Sequence, residues 1–268
     1  MRGSRGAREL GRRFDDFFPN LKISGLNAQQ LNIMKLAPQA KRTIFAIPLT
    51  RFGIAILSFT TLALYIPLIR LGYLPPLPSL LSLICLNNCN AKETLHTPPT
   101  GNEILNNNQP ISQIIGASTI DKSQTSILIE KSQYRLILYY NHQPIKSYPV
   151  VFGKNPVADK LKEGDLKTPE GIFQIRDLYP HPNWSKFLWL DYPTKQSWQK
   201  HFQSKMAGKI NVSDTIGSEV GIHGVPAGED NLIDKRSNWT WGCISLKNQD
   251  VDELYQVVQQ GTKVEIIH

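Results

Sequence analysis

The chain has 268 residues, enough for one or two domains, and a formal net charge of +8. Ten of its Lys and Arg residues fall in the first 51 positions against three acids, so much of the excess is local. From residue 123 onward the charges are mixed, with no basic helix and no aromatic-basic ladder, which disfavours a nucleic-acid reader.

Residues 1–51 read as a basic cytoplasmic segment. It runs into FGIAILSFTTLALYIPLI, 18 uncharged residues closed by Arg70. As a helix this stretch rises about 27 Å, close to the roughly 30 Å hydrocarbon core of a bilayer. Neither face is polar, so a membrane helix over 52–70 is preferred to a buried core helix. The basic flank keeps the N-terminus inside and exports everything after residue 70. The run is longer than a secretory h-region and no A-x-A string follows it, which favours an uncleaved anchor over a cleaved signal. Met34-Lys35 is an alternative start that would give a basic flank of ordinary length.

Residues 71–122 read as a collar and a linker. In LGYLPPLPSLLSLICL, Pro75, Pro76 and Pro78 break a helix near its start and leave too few residues to span, so the stretch is expected to lie at the membrane interface. Cys85 and Cys89 close it without a convincing lipobox; so close a pair either oxidises or stays idle. From Asn87 to about Ser118 the composition turns to Asn, Gln, Pro and Thr, which buries little and reads as a flexible tether.

A β-rich domain is expected over 123–268. TSILIEKSQYRLILYY holds two β-branched and aromatic runs joined by a polar turn from Glu130 to Gln133, and IKSYPVVFG follows as a third. GDLKTPEG carries the turn signals Gly164-Asp165 and Pro169-Glu170-Gly171 ahead of a strand, IFQI. The aromatic stretch from Tyr179 to Phe202 contains the alternating strand FLWLDY, whose Phe187 and Trp189 read as core. SWQKHFQSKMAGKI is a short amphipathic helix, with His181 and His201 read as surface residues. Residues 225–238 form a loop with the length of a lid. After it, Val251, Leu254, Tyr255 and Val258 share a helical face that Asn248 can cap and Gly261 ends, and KVEII closes the sheet.

The chemistry is concentrated between Val220 and Asn248. His223 stands between Ile222 and Gly224, and 20 residues later comes Cys243 in Trp239-Thr240-Trp241-Gly242-Cys243-Ile244. A thiol beside a glycine, with a histidine on a neighbouring short strand, is the arrangement a thiolate nucleophile needs: the imidazole takes the proton and the ion pair lowers the thiol pKa. Gly242 lets the backbone turn so that the amides of residues 242 and 243 face a developing oxyanion. No short metal spacing joins these residues to His181 or His201.

IHG, the GCI box and the following Asn248 resemble the catalytic signature of the L,D-transpeptidase (YkuD-type) domain. The resemblance extends through GDLKTPEGIFQI, LDYPT and GTKVEII, and so covers roughly 123–268. It implies a mainly β fold, a YkuD-like sandwich or barrel with one or two short helices, acting on peptidoglycan stem peptides. It further implies Cys243 as nucleophile, His223 as base and then acid, and the Gly224 carbonyl orienting that imidazole. Tyr192, Thr240, Trp241 and Asn248 are expected to line the substrate groove, with Arg236 a candidate partner for a substrate carboxylate. Many members of the family have Ser-His-Gly-Cys where this chain has Thr240-Trp241-Gly242-Cys243, so the base must be His223 alone. The Trp-Thr-x-Gly-Cys branch includes members that hydrolyse rather than join, which leaves three acyl acceptors open: a second stem amine, a lipoprotein amine or water. No metal or organic cofactor is implied. The site is expected at the cell envelope, in the periplasm or outside the membrane. The rival from another class is a non-catalytic wall-binding module, in which the thiol would react ordinarily.

Overall fold

The computed structural model describes residues 49–77, 94–101, 104–116 and 119–268. The basic segment before residue 49, Cys85 and Cys89 lie outside them.

The apolar run forms α1, Leu49–Arg70, with Pro67 inside its last turn. Ile56, Leu57, Phe59, Leu62 and Leu64 are all more than half exposed along it. Judged on the described side chains, which in α1 begin at Ile56, no helix is long and apolar enough to cross a membrane.

Eight strands build one sheet: β1 Thr125–Glu130, β2 Arg135–Tyr140, β3 Gln143–Pro149, β4 Gly171–His181, β5 Ser185–Leu190, β6 Gly221–His223, β7 Ile244–Ser245 and β8 Lys263–Ile267. Their order is β3-β2-β1-β8-β4-β5-β6-β7. The β1/β8 and β6/β7 pairs are parallel and the others antiparallel. Bridges from Val151 to Ser245 and from Gly153 to Thr240 bring the segment after β3 against β7. The expected sandwich or barrel is therefore a single sheet curled until its two ends meet.

Five α-helices are described, besides a 3-10 turn at Lys122–Gln124: α1, α2 Ile111–Ile115, α3 Lys195–Met206, α4 Asn231–Asp234 and α5 Asn248–Val257. Three of them fall within 123–268, more than the one or two expected. A reciprocal capping box between Thr194 and Ser197 starts α3. Its inner face buries Trp198 and His201; His201 is fully buried, with Nδ1 2.6 Å from the Leu161 carbonyl, and is not the surface residue expected. Val251, Leu254 and Val257 turn α5 onto the core, which also holds Ile127, Ile129, Leu136, Leu138, Phe173, Leu188, Ile222 and Ile244.

Residues 94–116 depart furthest from expectation. Where described they are docked, not a flexible tether. Glu265 Oε2 accepts from the amides of Leu95 at 3.0 Å and His96 at 2.8 Å, and lies 2.9 Å from His96 Nδ1. The His96 ring packs 4.4 Å from Tyr139, whose hydroxyl donates to the Thr97 carbonyl. Tyr139 belongs to a small apolar cluster with Leu128 and Ile137, separate from the main core, so this strap shields that cluster. Further along, Leu105 and Ser147 exchange backbone and side-chain bonds at 2.9 and 2.6 Å. Low hydrophobicity did not prevent ordering because polar side chains of the sheet supply the partners that water would.

Candidate active site

β6 and β7 set the site. In their parallel register Ile222 faces Ile244 and His223 faces Ser245. Side chains alternate along a strand, so Cys243, two residues before Ser245, falls on the same sheet face as His223, while Ile222 and Ile244 enter the core. Cys243 is partly exposed and His223 is buried.

Three aromatic rings enclose the imidazole. Trp184 stacks on it at 4.4 Å, Phe187 lies parallel at 5.8 Å, and Trp239 presents an edge at 5.6 Å. His181 stacks on the far face of Trp184 at 4.3 Å. His223 Nδ1 lies 2.7 Å from the Gly224 carbonyl. A carbonyl only accepts, so Nδ1 carries the proton and Nε2 is left as the basic nitrogen. Ser245 Oγ donates to the same carbonyl at 3.1 Å and fixes its direction. Gly224 has to be glycine: a Cβ there would meet Asn248 Oδ1 at 2.1 Å and the Trp184 carbonyl at 2.6 Å.

The thiol contacts the chain just before β6. Cys243 Sγ donates to the Glu219 carbonyl at 3.6 Å. Glu219 has φ of +60°, a left-handed conformation costly for a residue with a side chain and frequent at functional sites. Burial pushes the Cys243 thiol up to about 11, against the opposing effects of the Gly221 amide and the Lys160 charge. Burial likewise pushes His223 down to about 4, against the Gly224 bond. Both shifts favour the neutral forms over the ion pair expected from the sequence.

The turn before the thiol is tied by Thr240. Its hydroxyl donates to the Cys243 carbonyl at 2.7 Å and accepts the Gly242 amide at 3.2 Å. Thr240 is buried, so it shapes the turn and does not line a groove. The Gly242 amide, expected as an oxyanion donor, is occupied in the free site. Gly242 itself has φ of +141°, and a Cβ would meet the Lys167 carbonyl at 2.7 Å. The GDLKTPEG loop thus lies directly on the turn; within it Thr168 Oγ1 accepts the Gly153 amide at 3.2 Å.

The remaining expected substrate contacts divide. Trp241 is 77% exposed beside the thiol. Tyr192 is not in a groove: it is buried in the core, its hydroxyl donating to the Ile216 carbonyl at 3.0 Å. Asn248 does not cap α5; it is the first helical residue after Lys247, and its Oδ1 is buried against Gly224 without a hydrogen bond. Arg236 is exposed and lies 5.3 Å over the Tyr134 ring. The 225–238 loop carries α4 and is anchored by Val225 and Ile233 against Val151, so it is fixed and not a free lid. Among the described residues no group of three or more His, Cys, Asp and Glu is placed to hold a metal.

Sequence reasoning missed Trp184 and Trp239 as walls of the base, and read Phe187 as core only. Phe187 is also one of those walls, and its ring covers Gly221, where a Cβ would meet it at 2.5 Å. It missed Lys160 and Glu219 altogether, since a lysine and a glutamate in polar loops carry no pattern.

Residues 124–266 match the family model YkuD, L,D-transpeptidase catalytic domain. Among solved structures the chain is similar to the helical cell shape determining protein Pgp2 from Campylobacter jejuni, at 25% identity over 53% of this chain and 46% of that one, with a TM-score of 0.39. It is similar to Bd1075 of Bdellovibrio bacteriovorus at 22% identity over 54% and 48%, TM-score 0.37. For an L,D-transpeptidase from Mycobacterium smegmatis the figures are 16% identity, 54% and 59%, and 0.33. The match spans about half the length of the first two of these proteins. No curated protein matches the chain.

Proposed function

We propose a function from the premise that this chain belongs to the YkuD family of L,D-transpeptidase catalytic domains: a cysteine-dependent acyl transfer on peptidoglycan stem peptides. Cys243 is the nucleophile and His223 the base. The support for this reading is the β6/β7 register, which pairs His223 with Ser245 and Ile222 with the residue after Cys243, together with the Nδ1 bond to Gly224 that leaves Nε2 basic.

The reaction begins with two neutral groups. As Sγ attacks the carbonyl of the bond between an L-centre and D-Ala, its proton passes to His223 Nε2 and the carbonyl electron pair moves onto oxygen. The Cys243 amide stabilises that oxygen, joined by the Gly242 amide once it leaves Thr240. Collapse breaks the C–N bond, the imidazolium protonates the leaving D-Ala amine, and a thioester remains on Cys243. An amine of a second stem, giving its proton to His223 Nε2, then attacks the thioester; the C–S bond breaks, the cross-linking amide forms, and the released thiolate takes the proton back from His223. Trp241 offers an exposed indole platform for the extended peptide.

A second reading has water as acceptor, so that the enzyme shortens stems without joining them. A thioester on the partly exposed Cys243 is open to either nucleophile. Incubating the protein with purified muropeptides separates the two: dimers support transfer, shortened monomers alone support hydrolysis, and unchanged substrate contradicts both. A lipoprotein amine is a further acceptor of the same chemistry.

We place the domain at the cell envelope, held there by α1. The support is the row of exposed Ile, Leu and Phe side chains on α1 and the basic residues before it. Carbonate extraction of membranes tests this: protein released by it is not anchored by a helix.

A further inference from the structure

Lys160 has no part in the bond-making steps of acyl transfer. Its side chain is 5% exposed, and its ammonium donates to Asp165 Oδ1 at 2.9 Å and to the Lys162 carbonyl at 3.0 Å. A buried lysine is costly unless paired, and this one is held by a loop built to hold it. Asp165 accepts the backbone amides of Leu161, Lys162 and Lys167 at 2.8, 3.1 and 3.1 Å, wrapping residues 160–167 around one carboxylate. Outside that turn, His201 binds the Leu161 carbonyl and Lys162 pairs with Asp214 at 3.0 Å.

This loop is pressed on the thiol's turn. Lys160 Nζ stands 3.9 Å from the point a Cβ on Gly242 would occupy, and the Lys167 carbonyl 2.7 Å from it. Three amides share the charge of Asp165, so the carboxylate does not fully cancel the ammonium beside it. The imidazole on the other side sits among aromatic rings and supplies no counter-charge until it is protonated.

We propose that Lys160 is the charge-setting residue of the site: its buried ammonium stabilises the negative charge that forms on Cys243 Sγ and then on the carbonyl oxygen during attack. Lys160 keeps its proton throughout; the thiol proton goes to His223 Nε2, and the charge it faces is the thiolate and then the oxyanion. It touches neither substrate nor Sγ in the free site and acts through the field at Gly242–Cys243. Gly242 is glycine partly so that the cationic loop can approach this closely. The charges acting on the thiol are then Lys160, which favours ionisation, and Glu219, which opposes it, while His223 is neutral until it accepts the proton. The proposal rests on Cys243 being the reactive group, and not on which acceptor takes the acyl chain.

The test uses the full chain and iodoacetamide, following alkylation at the Cys243 peptide by mass so that Cys85 and Cys89 do not interfere. Rates are measured across pH for the natural protein, Lys160→Met, Lys160→Gln and Lys160→Arg. A charge beside the thiol's turn, partly offset by Asp165, alters thiolate formation by roughly 10-fold. Lys160→Met is therefore expected to react about 10-fold more slowly at pH 7 with a midpoint about one unit higher, and Lys160→Arg to stay within about threefold of the natural protein. Lys160→Gln keeps a hydrogen-bond donor for Asp165 and the Lys162 carbonyl and serves if the apolar variant does not fold; it is expected to shift the midpoint likewise. Unchanged midpoints in the folded neutral variants overturn the proposal. A shifted midpoint in a protein inert toward muropeptides keeps the role of Lys160 and sinks the transpeptidase reading instead.

Discussion

The Trp184 ring lies 4.4 Å from that of His223, tilted by 26°, and its own far face is covered by His181. The indole excludes water from the imidazole that Gly224 orients, which is why His223 is held near 4. Trp184→Ala opens that side. The imidazole is expected to rise from about 4 toward its ordinary value near 6.5. A base works only when unprotonated, so the acid limb of the kcat/KM profile moves up in pH by one unit or more. Trp184→Phe keeps a ring and is expected to keep the limb. An unmoved limb in Trp184→Ala shows that the cage does not set the base.

Gly224→Ala is expected to abolish activity and to cost about 3 kcal/mol, because the added carbon meets a backbone carbonyl as well as the Asn248 side chain. Trimming Asn248 to Ala in the same chain removes one obstacle and leaves the Trp184 carbonyl at 2.6 Å. The double variant is therefore expected to remain inactive. Urea denaturation and product assays on the pair check both statements.

Thr240→Val removes the hydroxyl that joins the Gly242 amide to the Cys243 carbonyl while keeping volume. With two bonds of the turn lost at a buried site, about 1–3 kcal/mol of stability should go. Activity is expected to fall about 10-fold or more as the turn before the thiol loosens. Wild-type turnover in this variant means the turn holds its shape without the hydroxyl.

Acid should weaken the fold. Burial lowers His96, His201 and His223 in the folded protein, so the unfolded chain takes up protons first as pH falls below about 6.5. Stability from these groups is complete above that value and drains away as pH drops toward the folded value, about 4 for His223. Asp250, which burial pushes up to about 6, and Asp191, also raised by burial, act in the opposite sense, since protonation relieves them in the fold. Three imidazoles against two carboxyls predict a net loss of stability between pH 7.5 and 4.5. Urea midpoints at the two pH values measure it, and His96→Gln should flatten the difference.

The sequence carried the strands well because β1, β2, β5 and β8 are short β-branched or aromatic runs between turn signals. Spacing and resemblance pointed to His223, Gly224 and Cys243 as the candidate site. The sequence could not carry the partners of the site. Trp184 and Trp239 reach His223 only because β5 pairs with β6 and the 225–238 loop is pinned by Ile233, relations of register and packing that leave no local pattern. Tyr192 was misplaced for the same reason: an aromatic after a strand looks alike whether it faces a groove or, as here, donates inward to Ile216. The strap at 94–101 escaped because polar composition says nothing about a buried carboxylate such as Glu265 waiting for two amides.

The most direct test of the central claim, that Cys243 is an acylating thiol served by His223, is the intact mass of the full chain after exposure to a carbapenem, for the natural protein, Cys243→Ala and His223→Gln. One adduct on the natural protein, none on Cys243→Ala and a rate reduced by at least about 100-fold in His223→Gln is the expected result. An unshifted natural protein, or an adduct that survives in Cys243→Ala, contradicts it.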